Sequence, residues 1–226
     1  MSWRALPEER SVLYSPAWFQ PVDVFSGGAP VEPLRATLDL LDGGTSTVTG
    51  IRAVVTPSGA YAYPGLGRSR DPSTAPVRRY RARFAADTYI PLYLAERDGE
   101  EFDAFPYDDT HPPAQLATRT EVELAPAPGY RFSADVPTLY GTVVSQAGVP
   151  VAYALVQSPP TPAPLLRAER TLTDRSGAFA LPLRWAAVNT DIDVVATDRR
   201  SQPPRTGTIK VRLPDALDHS HSIQIG

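Results

Sequence analysis

Cysteine is missing from this 226-residue sequence, methionine stands only at position 1, histidine occurs three times and lysine only at Lys210. Each shortage removes a class of chemistry. Without cysteine there is no disulfide framework, no thiolate nucleophile and no cysteine-based zinc site. Schiff-base chemistry is left with Lys210, which alternation in Thr208-Ile209-Lys210-Val211-Arg212-Leu213 turns outward on a strand. No stretch approaches 18 apolar residues, so no membrane-spanning helix is expected. The G-x-S-x-G elbow, H-E-x-x-H and the Walker A loop are all missing. The opening residues from Met1 to Arg10 carry acids and no apolar h-region, which predicts synthesis in the cytosol without a secretory leader. A formal net charge of −3, from 22 basic and 25 acidic residues, makes no global case for nucleic-acid binding.

Proline, in contrast, is abundant. Its 25 residues are scattered from Pro7 to Pro214, roughly twice the usual ~5%. Each fixes φ and removes a backbone donor, so no long window keeps a clean 3.6-residue period. Valine, leucine, isoleucine and aromatics are too frequent for disorder, which leaves an all-β fold of short strands broken by turns. Alternation places strands at 33–41, 50–56, 60–63, 78–85, 90–95 and 120–124, then at 138–145, 151–158, 170–173, 178–183, 191–198, 207–213 and 220–225. An internal repeat organises them. Ser58-Gly59-Ala60-Tyr61-Ala62-Tyr63-Pro64 matches Ser176-Gly177-Ala178-Phe179-Ala180-Leu181-Pro182, and Thr56 and Thr173 precede the two copies. Glycine supplies the positive φ of a tight turn, and Tyr61 with Tyr63, or Phe179 with Leu181, share an inward face. The spacing predicts two tandem Ig-like β-sandwich domains, at 21–135 and 136–226, divided near Ala125-Pro126-Ala127-Pro128-Gly129. Residues 1–20, with Trp3, Tyr14, Trp18 and Phe19, fit neither half and read as an aromatic arm that covers a sheet edge or docks on a partner.

The second half resembles a known family. Gly141-Thr142-Val143-Val144, then Gly148-Val149-Pro150-Val151-Ala152-Tyr153-Ala154-Leu155-Val156, then Thr173-Asp174-Arg175-Ser176-Gly177-Ala178-Phe179 is similar to the carboxypeptidase regulatory-like domain. That resemblance implies a transthyretin-like seven-strand sandwich from about Leu139 onward. It implies little about activity, since such modules are mostly non-catalytic attachments. Stand-alone, leaderless proteins bearing it resemble accessory components of phage-like tails and contractile injection baseplates.

Few residues could carry chemistry. His219 and His221 lie two apart in a strand pattern and could share a metal with Asp218. The simpler reading makes them outward residues of a final edge strand whose inward set includes Ile223 and Ile225, and since all four share parity that reading requires a bulge or a late strand start after His221. A His-x-His pair is similar to the iron-binding tips of tail spikes and to one motif of the intradiol dioxygenases, but the sequence around it matches neither. The terminus Ser222-Ile223-Gln224-Ile225-Gly226 also lacks the Tyr-Arg-Gly-Ser ending of 5-hydroxyisourate hydrolase. His111, beside Asp108 and Asp109, reads as a solvated loop residue. Arg68, Arg70, Arg78, Arg79, Arg81 and Arg83 cluster, as do Asp98, Glu100, Glu101, Asp103, Asp108 and Asp109. Alternation predicts Arg79, Arg81 and Arg83 on an outer face, backed by Tyr80, Ala82 and Phe84 and screened by acids on adjoining elements.

The expectation is thus a non-catalytic structural component of a larger particle, needing no cofactor and binding other protein subunits, with an oligomeric state set by the assembly. A phage-tail-like or injection-system baseplate is its most concrete form. Candidate contacts are Trp3, Trp18, Phe19, Arg79, Arg81, Arg83 and the stiff loop bearing Pro159, Pro160 and Pro162. The alternatives are a carbohydrate-binding module using Tyr61, Tyr63 and Tyr107 and a small metalloenzyme centred on His219 and His221.

Overall fold

The computed structural model describes residues 13–93, 98–115, 117–158, 169–184 and 189–226. In chain order the strands are β1 (Ala17–Asp23), β2 (Arg35–Asp42), β3 (Thr45–Val48), β4 (Val54–Val55), β5 (Tyr61–Ala62) and β6 (Arg78–Ala85). Then come β7 (Tyr89–Pro91), β8 (Glu100–Ala104), β9 (Thr118–Pro126), β10 (Thr138–Ser145) and β11 (Leu155–Ser158). The last five are β12 (Glu169–Leu172), β13 (Ala178–Pro182), β14 (Asp191–Asp198), β15 (Arg205–Arg212) and β16 (His221–Ile225). A 3-10 turn, η1 (Asp215–Asp218), precedes β16 and is the only helical element among the described residues. The fold is all-β.

Two compact units form, each from segments distant in sequence. The first comprises Met1–Gln20, Ala36–Arg83 and Gly99–Glu121; the second comprises Pro21–Arg35, Phe84–Asp98 and Val122–Gly226. In the first, β4, β5 and β1 pair antiparallel, with Trp18, Ala62 and Val54 in one register row and Phe19, Tyr61 and Val55 in the next. A second sheet runs β3-β2-β6-β8. β6 follows the predicted alternation, burying Tyr80, Ala82 and Phe84. Between the sheets the Phe102 ring of β8 lies 6.0 Å from Tyr63 and 5.9 Å from Tyr80, both stacked, and meets Phe19 edge-on at 5.6 Å. Such aromatic pairs add about 0.5–1.5 kcal/mol each beyond burial.

In the second unit, sheets β13-β10-β16 and β12-β11-β14-β15 face each other as a sandwich. One core joins them, with Leu139, Val143, Phe179, Leu181, Ile223 and Ile225 against Val156, Ile192, Val194 and Ala196. β16 runs parallel to β10, pairing Gly141 with His221 and Val143 with Ile223. Only glycine fits at 141, because a Cβ there would stand 2.6 Å from the His221 carbonyl oxygen and from the Phe179 ring.

Three sequence expectations change. Residues 17–20 are not an arm: Ala17–Asp23 is a strand, because Ala17, Phe19, Pro21 and Asp23 alternate inward. Only Val54–Val55 of 50–56 pairs as a strand, since the Thr49 hydroxyl donates to the Leu38 carbonyl and accepts from the Ile51 N–H, a local alternative to the ladder. Within 151–158 the strand starts at Leu155. Val151 donates its N–H to Val143, Tyr153 turns through φ +59°, and the chain continues in the other sheet. β3 and β8 were not expected; β3 is exposed at all four residues, and the acids of β8 obscure its Phe102.

Candidate functional site

Most of the exposed large hydrophobic side chains of the first unit cluster in one short segment. Val48 ends β3, Ile51 follows, and Val54 and Val55 form β4, with exposures of 63%, 42%, 52% and 55%. β3 and β4 each stand at the end of their strand order, so one side of each ladder has no partner strand among the described residues. Trp18 shares the register row of Val54 across the small Ala62 and is also exposed. Natural edges are usually blunted by inward charges, proline or bulges. Here Arg52 and Pro57 flank the valines, and Val54–Val55 itself is unprotected. Sequence reasoning missed this surface because 50–56 looked like an ordinary half-buried strand.

The arginine ladder is largely satisfied. Arg79 and Arg81 both reach Glu101 on β8, at 2.9 and 2.8 Å, and Arg83 reaches Asp39 on β2 at 2.9 Å. Asp39 is almost fully buried and also accepts from the Ser46 hydroxyl. These are the adjoining-element acids that alternation predicted. Trp18, expected on the same arm, lies exposed on β1, whereas Phe19, expected as an arm contact, is 1% exposed and packs on Tyr63 and Phe102. Trp3, Pro159, Pro160 and Pro162 lie outside the described residues. Tyr61, Tyr63 and Tyr107, expected as an exposed sugar platform, are 6%, 1% and 1% exposed. Tyr63 packs against Phe19 and Phe102, and Tyr107 meets Tyr14 edge-on at 5.2 Å.

The histidine pair takes an unexpected geometry. His219 is exposed, the strand starts at His221, and the His221 ring shares the inward parity of Ile223 and Ile225. No bulge is needed, because the η1 turn ends beneath the ring and the His221 Nε2–H donates to the Ala216 carbonyl at 2.8 Å. The two ring centroids are 4.7 Å apart. Among the described residues no group of three or more histidine, cysteine or acid side chains is arranged to hold a metal. His111 sits in a solvated turn, with Asp108 accepting from the backbone N–H groups of Thr110 and His111. Hydrogen bonds from His111 and Thr110 hold the Asp108 carboxyl well below the usual carboxylate range.

No family model matches this chain, the carboxypeptidase regulatory-like domain included, and no curated protein matches it. Solved structures similar to it include the Bacillus anthracis TIE protein, 11% identical, with 95% of this chain and 34% of that one covered at a TM-score of 0.30. A streptococcal ancillary pilin is 11% identical over 97% of this chain and 63% of its own, at 0.33. The shaft pilin spaA from Lactobacillus rhamnosus GG is 10% identical, with 96% and 97% covered, at 0.28. This chain spans about a third of the first protein's length and under two thirds of the second's. Likeness at such low scores does not bear on function. No helix among the described residues is long and apolar enough to cross a membrane.

Proposed function

We propose that this protein is a non-catalytic structural subunit, and that it joins other protein subunits by taking an extended partner segment onto the β4 edge of its first unit. The exposed Val48, Ile51, Val54 and Val55, close in sequence and next to two strand edges that have no partner strand among the described residues, carry the reading. Backbone hydrogen bonds from an added strand supply affinity, and the valines supply the apolar contact. A baseplate or tail-accessory setting is the finer form of the proposal. Pull-down from native lysate followed by electron microscopy tests the reading. A retained particle protein is expected, with retention reduced about tenfold by Val54→Lys, the effect of ~1.4 kcal/mol. A wild-type chain that stays monomeric and captures nothing, or equal capture by Val54→Lys, overturns it.

A further inference from the structure

A cavity of about 400 Å³ opens in the second unit, lined by Val24, Phe25, Glu123, Gln157, Glu169, Arg170, Pro182 and Arg184. That volume is in the range of small-molecule sites. Its four charges are already matched. Arg170 reaches Glu123 at 2.6 Å, and Arg184 binds Glu169 through both Nε at 2.8 Å and a terminal nitrogen at 3.1 Å. Arg184 is further fixed by a hydrogen bond to the Phe25 carbonyl and lies 4.1 Å above the Phe25 ring. The cavity wall therefore has no net charge, and a charged ligand would have to strip one partner from an ion pair and leave the other unpaired.

What the wall does offer is a ring of spare donors and acceptors. The carboxylates keep free lone pairs, and Arg170 keeps donors beyond its bond to Glu123. Gln157 is the register partner of Arg170 on the neighbouring strand, and among the described residues its carboxamide has no hydrogen bond. It presents both a donor and an acceptor. Val24 and Pro182 add apolar surface. A hydroxyl is the group that donates and accepts at once, and a molecule dense in hydroxyls with an apolar C–H face matches this lining.

We propose that this cavity binds a neutral saccharide, one or two pyranose units long, with Gln157 and Glu123 as its principal hydrogen-bonding contacts. A peptide is the poorer fit, because the polar groups here belong to side chains on several separate segments and not to one open run of backbone. Ligand-observed NMR on the full chain tests this, using a panel of neutral hexoses and disaccharides beside sialic acid, a sulfated disaccharide and an extended peptide. Saturable binding of at least one neutral sugar is expected, weakened about tenfold or more by Gln157→Ala. That substitution removes no side-chain hydrogen bond among the described residues, and a matching denaturation midpoint shows that the fold is kept. Glu123→Gln is the second variant and should weaken the same sugar. No neutral sugar bound, a preference for the charged sugars or the peptide, or affinity unchanged in both variants would each overturn the proposal. Since the capture experiment reads the β4 edge of the other unit, either idea can fail without the other.

Discussion

Tyr63 carries a hydroxyl that is buried and has no hydrogen-bond partner among the described residues, and burial pushes its pKa up to about 12. Its ring stacks on Phe102 at 6.0 Å, so the ring has a role and the oxygen has a cost. Tyr63→Phe is expected to leave stability unchanged or raise it by up to about 1 kcal/mol in urea denaturation, because an unsatisfied polar atom is lost. Arg83 and Arg79 look alike in the sequence but not in the fold. Arg83→Ala strands the buried Asp39 and is expected to destabilise by about 2–3 kcal/mol. Arg79→Ala, at an exposed pair, should stay within about 1 kcal/mol. Asp198 sets a pH dependence. Burial opposes its charge, yet the Arg205 side chain at 2.8 Å and the Arg200 N–H hold its carboxyl below the usual value. A depressed folded pKa stabilises fully above the unfolded value, about 3.9, and that contribution is lost as pH falls through the folded value. Arg205→Ala should flatten this acid limb of stability against pH.

The repeated turn shows how an element is specified. Gly59 and Gly177 have φ of +78° and +77°, and the hydrogen bonds superpose: Gly59 N–H to the Thr56 carbonyl and Gly177 N–H to the Asp174 carbonyl. The Thr56 hydroxyl accepts from the Ala60 N–H as the Asp174 carboxylate accepts from the Ala178 N–H. Asp174, not Thr173, is therefore the structural counterpart of Thr56. The two glycines differ in surroundings. A Cβ at 59 meets nothing closer than 4.0 Å, whereas one at 177 would stand 2.8 Å from the Val143 carbonyl oxygen. Gly59→Ala is expected to cost about 1–2 kcal/mol from backbone strain alone, and Gly177→Ala clearly more, both read from thermal unfolding. Turn and strand were legible here because glycine, a polar turn residue and alternating apolar residues stand within seven positions. The corner at Tyr153 was not legible: nothing local marks an aromatic residue for φ +59°, and the requirement comes from two sheets claiming the two ends of one segment.

Across the whole molecule, the segments of each unit are distant in sequence, with residues 21–35 and 84–98 grouped with the chain after 122. A linear reading assigns consecutive stretches to consecutive domains and has no signal for such grouping. The candidate edge at Val48 to Val55 has the same origin. Its residues have an ordinary strand composition, and their exposure follows from which strands stand last in each sheet. The edge also sets an expectation for the chain: Val54→Lys should weaken capture of the partner subunit while leaving the thermal midpoint within about 1 °C in calorimetry, since an exposed substitution changes little within the fold.

Sequence alone determined the all-β class, most strand positions, the paired Gly59 and Gly177 turns, and the outward arginines of β6, because proline, glycine and two-residue alternation act within a few residues. Tertiary structure decided that Phe19 and Tyr107 face inward, that Glu101 and Asp39 are the arginines' partners, and that Gln157 has no partner among the described residues in a charge-matched cavity. Those outcomes depend on which distant strands come to lie side by side. Burial and pairing are properties of neighbours in space, and the chain's local pattern does not name them.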